Sequence, residues 1–236
     1  MNMLPKFSTL GFGEGGSAAD HARFQSRWKA LFEDNRHAIE GKTVLDLACN
    51  TGRMAFPCIQ LGAKKVVGVE WRQELIDHGK QVFEAQGVAD RMEWNQGDLF
   101  DFLAASDPGA YDTILCLGFL YHTVQQVEFF RQVRRLQPRY VIIDTSVAKN
   151  YTWLGRSALF RKPPALFLYQ DDAAKTSDTS DIDGLVFWPS TSFLETMFDK
   201  IGYKWKRIDY SKATSDWSGL SDYKKGIRAS YIAQRV

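Results

Sequence analysis

Residues 43–52 read TVLDLACNTG, in which apolar and β-branched residues surround Asp46 and a compressed turn follows. The next residues, 53–56, are able to start a helix. This pattern predicts a buried strand that ends in a tight turn and passes into a helix. In open α/β sheets, ligands bind where the carboxyl ends of such strands meet helix N-termini. The sequence therefore predicts a ligand site at this turn.

Strand and helix patterns alternate after this turn. Near-continuous apolar runs in the predicted central strands favour a parallel sheet covered by helices on both faces. The last two strands, 203–210 and 227–234, are separated by a loop too short for a crossover helix, so they predict an antiparallel hairpin. The remaining predicted strands are 43–47, 65–70, 92–95, 111–117 and 140–144, and the helices between them are 54–61, 73–86 and 126–136.

Two segments fall outside this alternation. Residues 1–40 predict a glycine-rich arm followed by a helix over 20–39 with Asp20 as its N-cap, together a lid over residues 41–236. Residues 146–189 predict a cap insertion over the cleft, since a connection of this length in a compact domain is usually functional or partly disordered. Regular structure returns with a predicted capping box at 192–195.

Composition limits the function classes. The 236 residues carry a formal net charge of +2, which disfavours nucleic acid as a partner. Cys49, Cys58 and Cys116 include no C-x-x-C pair, so the sequence predicts no metal site and a reducing, cytoplasmic location. The longest apolar run, 114–121, is far below the ~20 residues that span a bilayer. The expectation is a protein that contacts no membrane.

The turn does not fit a dinucleotide site, because G-x-G-x-x-G is required there and only Gly52 is present. It resembles instead the first motif of the class I S-adenosylmethionine-dependent methyltransferases, with Ala48 and Asn50 in place of two glycines. Asn tolerates positive φ better than most residues. The resemblance covers residues 40–145 well. It implies a Rossmann-like, doubly wound, seven-stranded sheet, mostly parallel, with the antiparallel hairpin at its C-terminal end.

The resemblance also implies S-adenosyl-L-methionine as the cofactor and a set of residues that hold it. Glu70 is expected to bind the two ribose hydroxyls, Trp71 to pack beside them, and Asp98 with the Leu99 N–H to contact the adenine. The segment after the fourth strand is expected to pass the methionine part. The full predicted set is Asp46, Ala48, Cys49, Asn50, Gly52, Glu70, Trp71, Asp98, Leu99, Cys116, Leu117 and Gly118.

The substrate and catalytic residues are predicted around Gly118-Phe119-Leu120-Tyr121-His122. His122 is the candidate general base, since histidine titrates near neutral pH, and Tyr121 is expected to orient a reactant. Asp144 is expected at the carboxyl end of the fifth strand, facing the same cleft. Tyr151, Trp153 and Arg156 are expected to form the roof of a substrate pocket, and Arg27 to close the methionine end.

Three functions remain open at this stage. The first is methyl transfer by in-line displacement to an O or N nucleophile of a small molecule, which the near-neutral charge and the aromatic content favour. The second is a tRNA-modifying methyl- or carboxymethyltransferase acting on wobble uridine, since the Gly-x-Leu-Tyr-His form resembles those enzymes. The third is a non-catalytic cofactor-binding protein, for which Ala48 and Asn50 are the only indications.

Overall fold

The computed structural model describes residues 11–12, 17–148, 163–170 and 184–236. The strands are β1 (Thr43–Leu47), β2 (Lys65–Glu70), β3 (Met92–Gln96), β4 (Thr113–Leu117), β5 (Tyr140–Ser146), β6 (Leu166–Gln170), β7 (Leu185–Pro189), β8 (Tyr203–Arg207) and β9 (Arg228–Arg235). The helices are α1 (Ala18–Leu31), α2 (Ala55–Gln60), α3 (Gln73–Ala85), α4 (Leu99–Ala105), α5 (Gln126–Leu136), α6 (Thr191–Lys200) and α7 (Ser221–Lys224).

Seven strands form one sheet in the order β3-β2-β1-β4-β5-β9-β8. The first five strands in this order pair in parallel, and β9 is antiparallel to both β5 and β8. This confirms the predicted fold class, including the antiparallel pair at the C-terminal end. The carboxyl ends of β1 to β5 share one edge of the sheet. The antiparallel β9 begins at that edge, where Arg228 pairs with Ser146.

Helices cover both faces of the sheet because alternate strand residues point to opposite sides. On one face, Val44 and Ile142 pack in a core with residues of α1, α2 and α3. On the other face, Leu45 and Val141 pack with residues of α4, α5 and α6. Since Trp28 of α1 is buried in the first core, this helix is part of the packed domain.

The first helix is shorter than predicted. It ends at Leu31, and a 3₁₀ segment from Glu33 to Ala38 follows it. Its N-cap is Ser17 rather than Asp20, because the Ser17 hydroxyl accepts a hydrogen bond from the Asp20 N–H. Residues 33–36 carry only charged and amide side chains, so the sequence has no apolar pattern that marks where α1 ends and the 3₁₀ segment begins.

The predicted insertion contains one element that the sequence reading missed. Strands β6 and β7 form a separate two-stranded antiparallel sheet. It contacts the short 3₁₀ turn from Leu120 to His122, and the Phe187 N–H donates to the Thr123 carbonyl at 3.1 Å. None of the helices within the described ranges is long and apolar enough to cross a bilayer.

Candidate functional site

A cavity of about 660 Å³ lies at the edge of the sheet where β1, β2 and β4 end. Its volume is in the range of small-molecule and cofactor sites. The turn after β1 and the 120–122 turn both line it, as do residues of α1 and the start of β9. The parallel strands therefore place their polar end residues around one concave space.

The turn after β1 is built from backbone conformations that side chains rarely adopt. Ala48 has φ +52° and Asn50 has φ +55°, both in the left-handed region. The Asn50 side chain stabilises its turn, since its Oδ1 accepts from the Thr51 N–H at 2.7 Å. Ala48 has no such group, so its conformation carries strain of about 1 kcal/mol. The turn therefore has a backbone conformation typical of glycine at two positions that are occupied by Ala48 and Asn50.

Asp46 lies beneath this turn with an unsatisfied oxygen. The residue is 2% exposed, and its Oδ2 has no hydrogen-bond partner within the part of the chain that the structure describes. Burial, together with the nearby Glu70 carboxylate, raises the pKa of Asp46 to about 8. A buried acceptor without a donor is costly unless a ligand satisfies it. Asp46 therefore suits a cationic or N–H-bearing ligand group.

Glu70 ends β2 and connects it to the turn after β1. One oxygen accepts from the Asn50 N–H at 2.9 Å, and the other accepts from the Arg72 Nε at 2.9 Å and the Arg72 N–H at 3.2 Å. The carboxylate is buried but lines the cavity. Since each carboxylate oxygen has two acceptor positions, one position remains, on the oxygen that accepts from Asn50, for a ligand's hydroxyl group.

Asp98 lines the cavity and also caps α4. Its Oδ1 accepts from the N–H groups of Phe100 and Asp101, at 2.7 and 3.1 Å. This capping role was not anticipated, because the sequence reading assigned no helix to residues 99–105. Trp71 lies at the rim, 69% exposed, which is unusual for such a large apolar side chain.

Ten of the residues predicted to hold the cofactor line the cavity: Asp46, Ala48, Cys49, Asn50, Glu70, Trp71, Asp98, Leu99, Leu117 and Gly118. The structure places Gly52 and Cys116 elsewhere. A Cβ on Gly52 would meet Trp94 at 2.7 Å and Phe83 at 2.9 Å, so the absence of a side chain serves packing. Cys116 is fully buried inside the core, and burial raises the pKa of its thiol.

Tyr121 and His122 both line the cavity from the 3₁₀ turn after β4. Their ring centroids are 3.9 Å apart, and the His122 N–H donates to the Phe119 carbonyl at 2.7 Å. The Tyr121 ring also meets Trp188 of β7 edge to face, at 6.0 Å between centroids. The hairpin therefore packs directly on the predicted catalytic segment.

The buried side chain of Gln126 attaches this turn to the hairpin. Its Nε2 donates to the carbonyls of Leu120, Thr123 and Phe187, at 2.8, 2.6 and 2.7 Å. Two of these carbonyls belong to the segment around His122 and the third belongs to β7. One amide group therefore fixes both elements relative to α5.

Asp144 lies below the cavity rather than in its lining. It is 0% exposed, and its oxygens accept from Arg27 at 3.2 Å, from Arg228, and from the hydroxyls of Tyr223 and Ser230, each at 2.5 Å. Burial alone would raise the pKa of Asp144, but Arg228 and Arg27 hold it well below its ordinary value. With its acceptor positions filled, Asp144 orients the two arginines and does not reach a substrate.

The sequence reading gave no cavity role to several arginines. Arg23, Arg53 and Arg228 line the cavity, as does Arg27, which had been assigned to the methionine end. A place for Arg228 in the cavity could have been predicted from the antiparallel direction of the last strand, because that direction brings the first residues of the strand to the ligand-binding edge of the sheet. Tyr151, Trp153 and Arg156 lie outside the described residues.

Comparison with known proteins identifies the domain type. The sequence profile of a methyltransferase domain matches residues 44–138. Protein arginine N-methyltransferase PRMT10 of Arabidopsis thaliana is 31% identical over 111 residues, which cover 47% of this chain and 28% of that protein. The chain thus spans less than a third of the length of this curated relative.

Solved structures share the fold over almost the whole chain. A putative S-adenosylmethionine-dependent methyltransferase from Listeria monocytogenes superposes with a TM-score of 0.64 at 16% identity, covering 91% of this chain and 99% of that one. The N-terminal domain of EvdMO1 with SAH bound gives a TM-score of 0.61 at 16% identity, covering 94% and 82%. At this identity the likeness concerns the fold.

Proposed function

We propose that this chain, whose residues 44–138 match a methyltransferase domain, is a class I S-adenosylmethionine-dependent methyltransferase that transfers a methyl group to an O or N nucleophile of a small molecule. The observation that carries the proposal is that one cavity is lined by two carboxylates from the adjacent strands β1 and β2. These are Asp46, whose buried Oδ2 has no hydrogen-bond partner in the described residues, and Glu70. The cavity size and the aromatic side chains around Tyr121 support a small acceptor.

The residues present fit S-adenosylmethionine. Asp46 supplies an acceptor for an ammonium group, Glu70 offers its one remaining acceptor position to a hydroxyl of a vicinal diol, and Trp71 offers an apolar face at the rim. Asp98 keeps one oxygen outside the helix cap. When bound, the cofactor supplies a sulfonium methyl group that an acceptor's lone pair can displace.

The chain's own groups then position the acceptor and manage its proton. His122 accepts the proton that a neutral O–H or N–H nucleophile loses as its bond to the methyl carbon forms, while the sulfonium becomes a neutral thioether. Tyr121 lies against His122 and orients the ring or the acceptor. The packed hairpin excludes water from this side of the cavity.

Calorimetry with S-adenosylhomocysteine tests the proposal, with Glu70→Ala and His122→Gln as paired variants. Wild type is expected to bind, and Glu70→Ala to bind at least tenfold more weakly, because a charge-assisted hydrogen bond to the ligand is lost together with the acceptor of the Asn50 N–H in the turn. His122→Gln should bind normally but lose methyl transfer from labelled S-adenosylmethionine to a panel of small alcohols, phenols and amines. Absence of binding to wild type, or normal affinity in Glu70→Ala, would refute the cofactor site.

A further inference from the structure

We propose that the end of the cavity formed by α1, the 120–122 turn and the start of β9 binds an anionic group of the acceptor, with Arg228, supported by Arg27, as its receptor. The group is a carboxylate or a phosphate-type oxyanion. This inference rests on the proposed function, since it names the substrate class of the same cavity.

The cavity is divided by charge. Its carboxylates lie toward β1, β2 and β3: Asp46 is within β1, Glu70 ends β2 and Asp98 follows β3. Arg72 also lines this end, where it is paired with Glu70. The arginines of α1 and β9 lie toward the opposite end of the cavity, where β5 and β9 pair. A ligand that spans the cavity therefore meets acceptors at one end and guanidinium groups at the other.

The arginine end is a built site rather than a solvated surface. Arg27 and Arg228 both line the cavity although they are only 7% and 8% exposed. Both donate to the same carboxylate, Asp144, so two buried positive charges share one negative charge. The Nε of Arg27 has no hydrogen-bond partner in the described ranges. Two buried positive charges with one counter-charge are costly in free energy unless a bound anion supplies a second negative charge.

The geometry of Arg228 suits an oxyanion. Asp144 accepts from its Nε and one Nη2 hydrogen, so two of the three guanidinium nitrogens face the carboxylate. A guanidinium has five N–H donors, and the remaining ones are available to a planar or tetrahedral oxyanion. Because Asp144 is itself held by Tyr223 and Ser230, the guanidinium is positioned before any ligand arrives.

Position assigns this receptor to the acceptor rather than to the cofactor. The guanidinium carbon of Arg228 lies 5.5 Å from the centre of the Tyr121 ring, on the segment that carries His122. Gly118, just after β4, lies beside the same guanidinium, since a Cβ there would be in van der Waals contact with Arg228 Nη2 at 3.6 Å. The anion site is thus next to the groups proposed to act on the acceptor.

The test titrates the full chain, saturated with S-adenosylhomocysteine, with benzoate, phenyl phosphate and the uncharged benzamide. Aromatic probes are chosen because Tyr121 and Phe119 line the cavity. One of the two anions is expected to bind and benzamide is not. A preference for benzoate or for phenyl phosphate identifies the oxyanion as carboxylate or phosphate.

Arg228→Gln is expected to weaken the anion at least tenfold and leave S-adenosylhomocysteine affinity within twofold. Arg235→Gln is the matched control, because it removes the same charge from the opposite end of β9 and should change neither affinity. If Arg228→Gln does not fold, Arg228→Lys keeps the charge, and it should retain weaker anion binding, with loss of the planar fork.

Two results would overturn the inference while leaving the cofactor site intact. One is that neither anion binds to the saturated wild type. The other is that Arg228→Gln weakens S-adenosylhomocysteine tenfold but not 5′-methylthioadenosine, which lacks the amino acid; the guanidinium would then hold the cofactor's carboxylate. Failure of S-adenosylhomocysteine to bind wild type would instead refute the proposed function itself.

Discussion

At the scale of single residues, Asp46 and Glu70 show how the site depends on unfavourable electrostatics. Burial, and after it the nearby Glu70 carboxylate, make ionisation of Asp46 unfavourable, and the pKa of Asp46 rises to about 8 as a result. Without ligand, Asp46 is mostly protonated at pH 7. A bound ammonium group reverses this balance by stabilising the carboxylate.

We therefore expect the affinity for S-adenosylhomocysteine to rise with pH, by up to about tenfold per unit, until it levels near pH 8. The reason is that binding selects ionised Asp46 and releases its proton. Calorimetry across pH 6–9, in buffers with different ionisation enthalpies, measures both effects. Asp46→Asn should bind weakly and without this pH dependence, so a variant with wild-type affinity would contradict the assignment.

The same shift has a second consequence with a defined sign. The native pKa of Asp46 lies above its unfolded value of about 4, so its contribution to stability is complete below pH 4 and is lost as pH rises through about 8. The free energy of unfolding of the ligand-free protein should fall less over this interval in Asp46→Asn than in wild type, as urea titrations would show.

At the scale of elements, α6 shows how a tertiary contact selects one cap over another. The sequence predicts a capping box beginning at Ser192, but the N-cap is Ser190, whose Oγ accepts from the Phe193 N–H at 3.1 Å. The same Oγ accepts from the Ala165 N–H at 3.0 Å, just before β6. Glu195 accepts instead from the Tyr231 hydroxyl. The cap therefore also ties the hairpin to the domain.

Ser190→Ala is expected to destabilise the protein by about 2 kcal/mol, since it removes the cap and leaves a second N–H unsatisfied. Ser192→Ala is the comparison variant because it keeps the cap: the Ser192 hydroxyl donates to the Pro163 carbonyl at an exposed position and lies 3.0 Å from the Ser190 Oγ, and its loss should cost about 0.5 kcal/mol. Urea unfolding measures both. Equal losses, or a larger loss in Ser192→Ala, would contradict the observed cap.

The elements that the sequence predicted well are those whose pattern is local. Strands β1, β2 and β5 are short and mostly apolar segments, and α5 has its stripe of Phe129, Val133 and Leu136. The short α4 and the hairpin strands were missed for a physical reason. Residues 168–170 of β6 are exposed, so this strand shows little burial periodicity, and its pairing partner follows after a separation of many residues. Such pairing depends on tertiary contacts.

At the scale of the whole molecule, Asp144 joins parts of the chain that are distant in sequence. Its carboxylate connects β5 to Arg27 of α1, to Tyr223 of α7 and to Arg228 and Ser230 of β9. The sequence predicted Asp144 at the end of its strand, whereas β5 continues to Ser146, and the sequence could not show that these partners would converge on Asp144. The position of a residue along a strand depends on the neighbouring sequence, whereas the donors that fill a carboxylate's acceptor positions come from distant parts of the chain.

Asp144→Asn is expected to cost about 3–5 kcal/mol of unfolding free energy, because two buried guanidiniums lose their counter-charge. Its native pKa lies below the unfolded value, so this contribution is present above about pH 4 and is lost as pH falls through the native pKa. Urea titrations at pH 7 measure the loss, with exposed Asp107→Asn as the control. A loss below 1 kcal/mol would show that the network is not needed for stability.

The amide of Gln126 has a consequence for the timing of a reaction cycle. Because it donates to both β7 and the segment bearing His122, we expect a movement of the hairpin either to break these hydrogen bonds or to displace that segment with it. A widening of the entrance that keeps the hydrogen bonds also moves the reacting groups. The admission of an acceptor and the departure of its product then alternate with chemistry, because the same motion opens the cavity and displaces the groups that react.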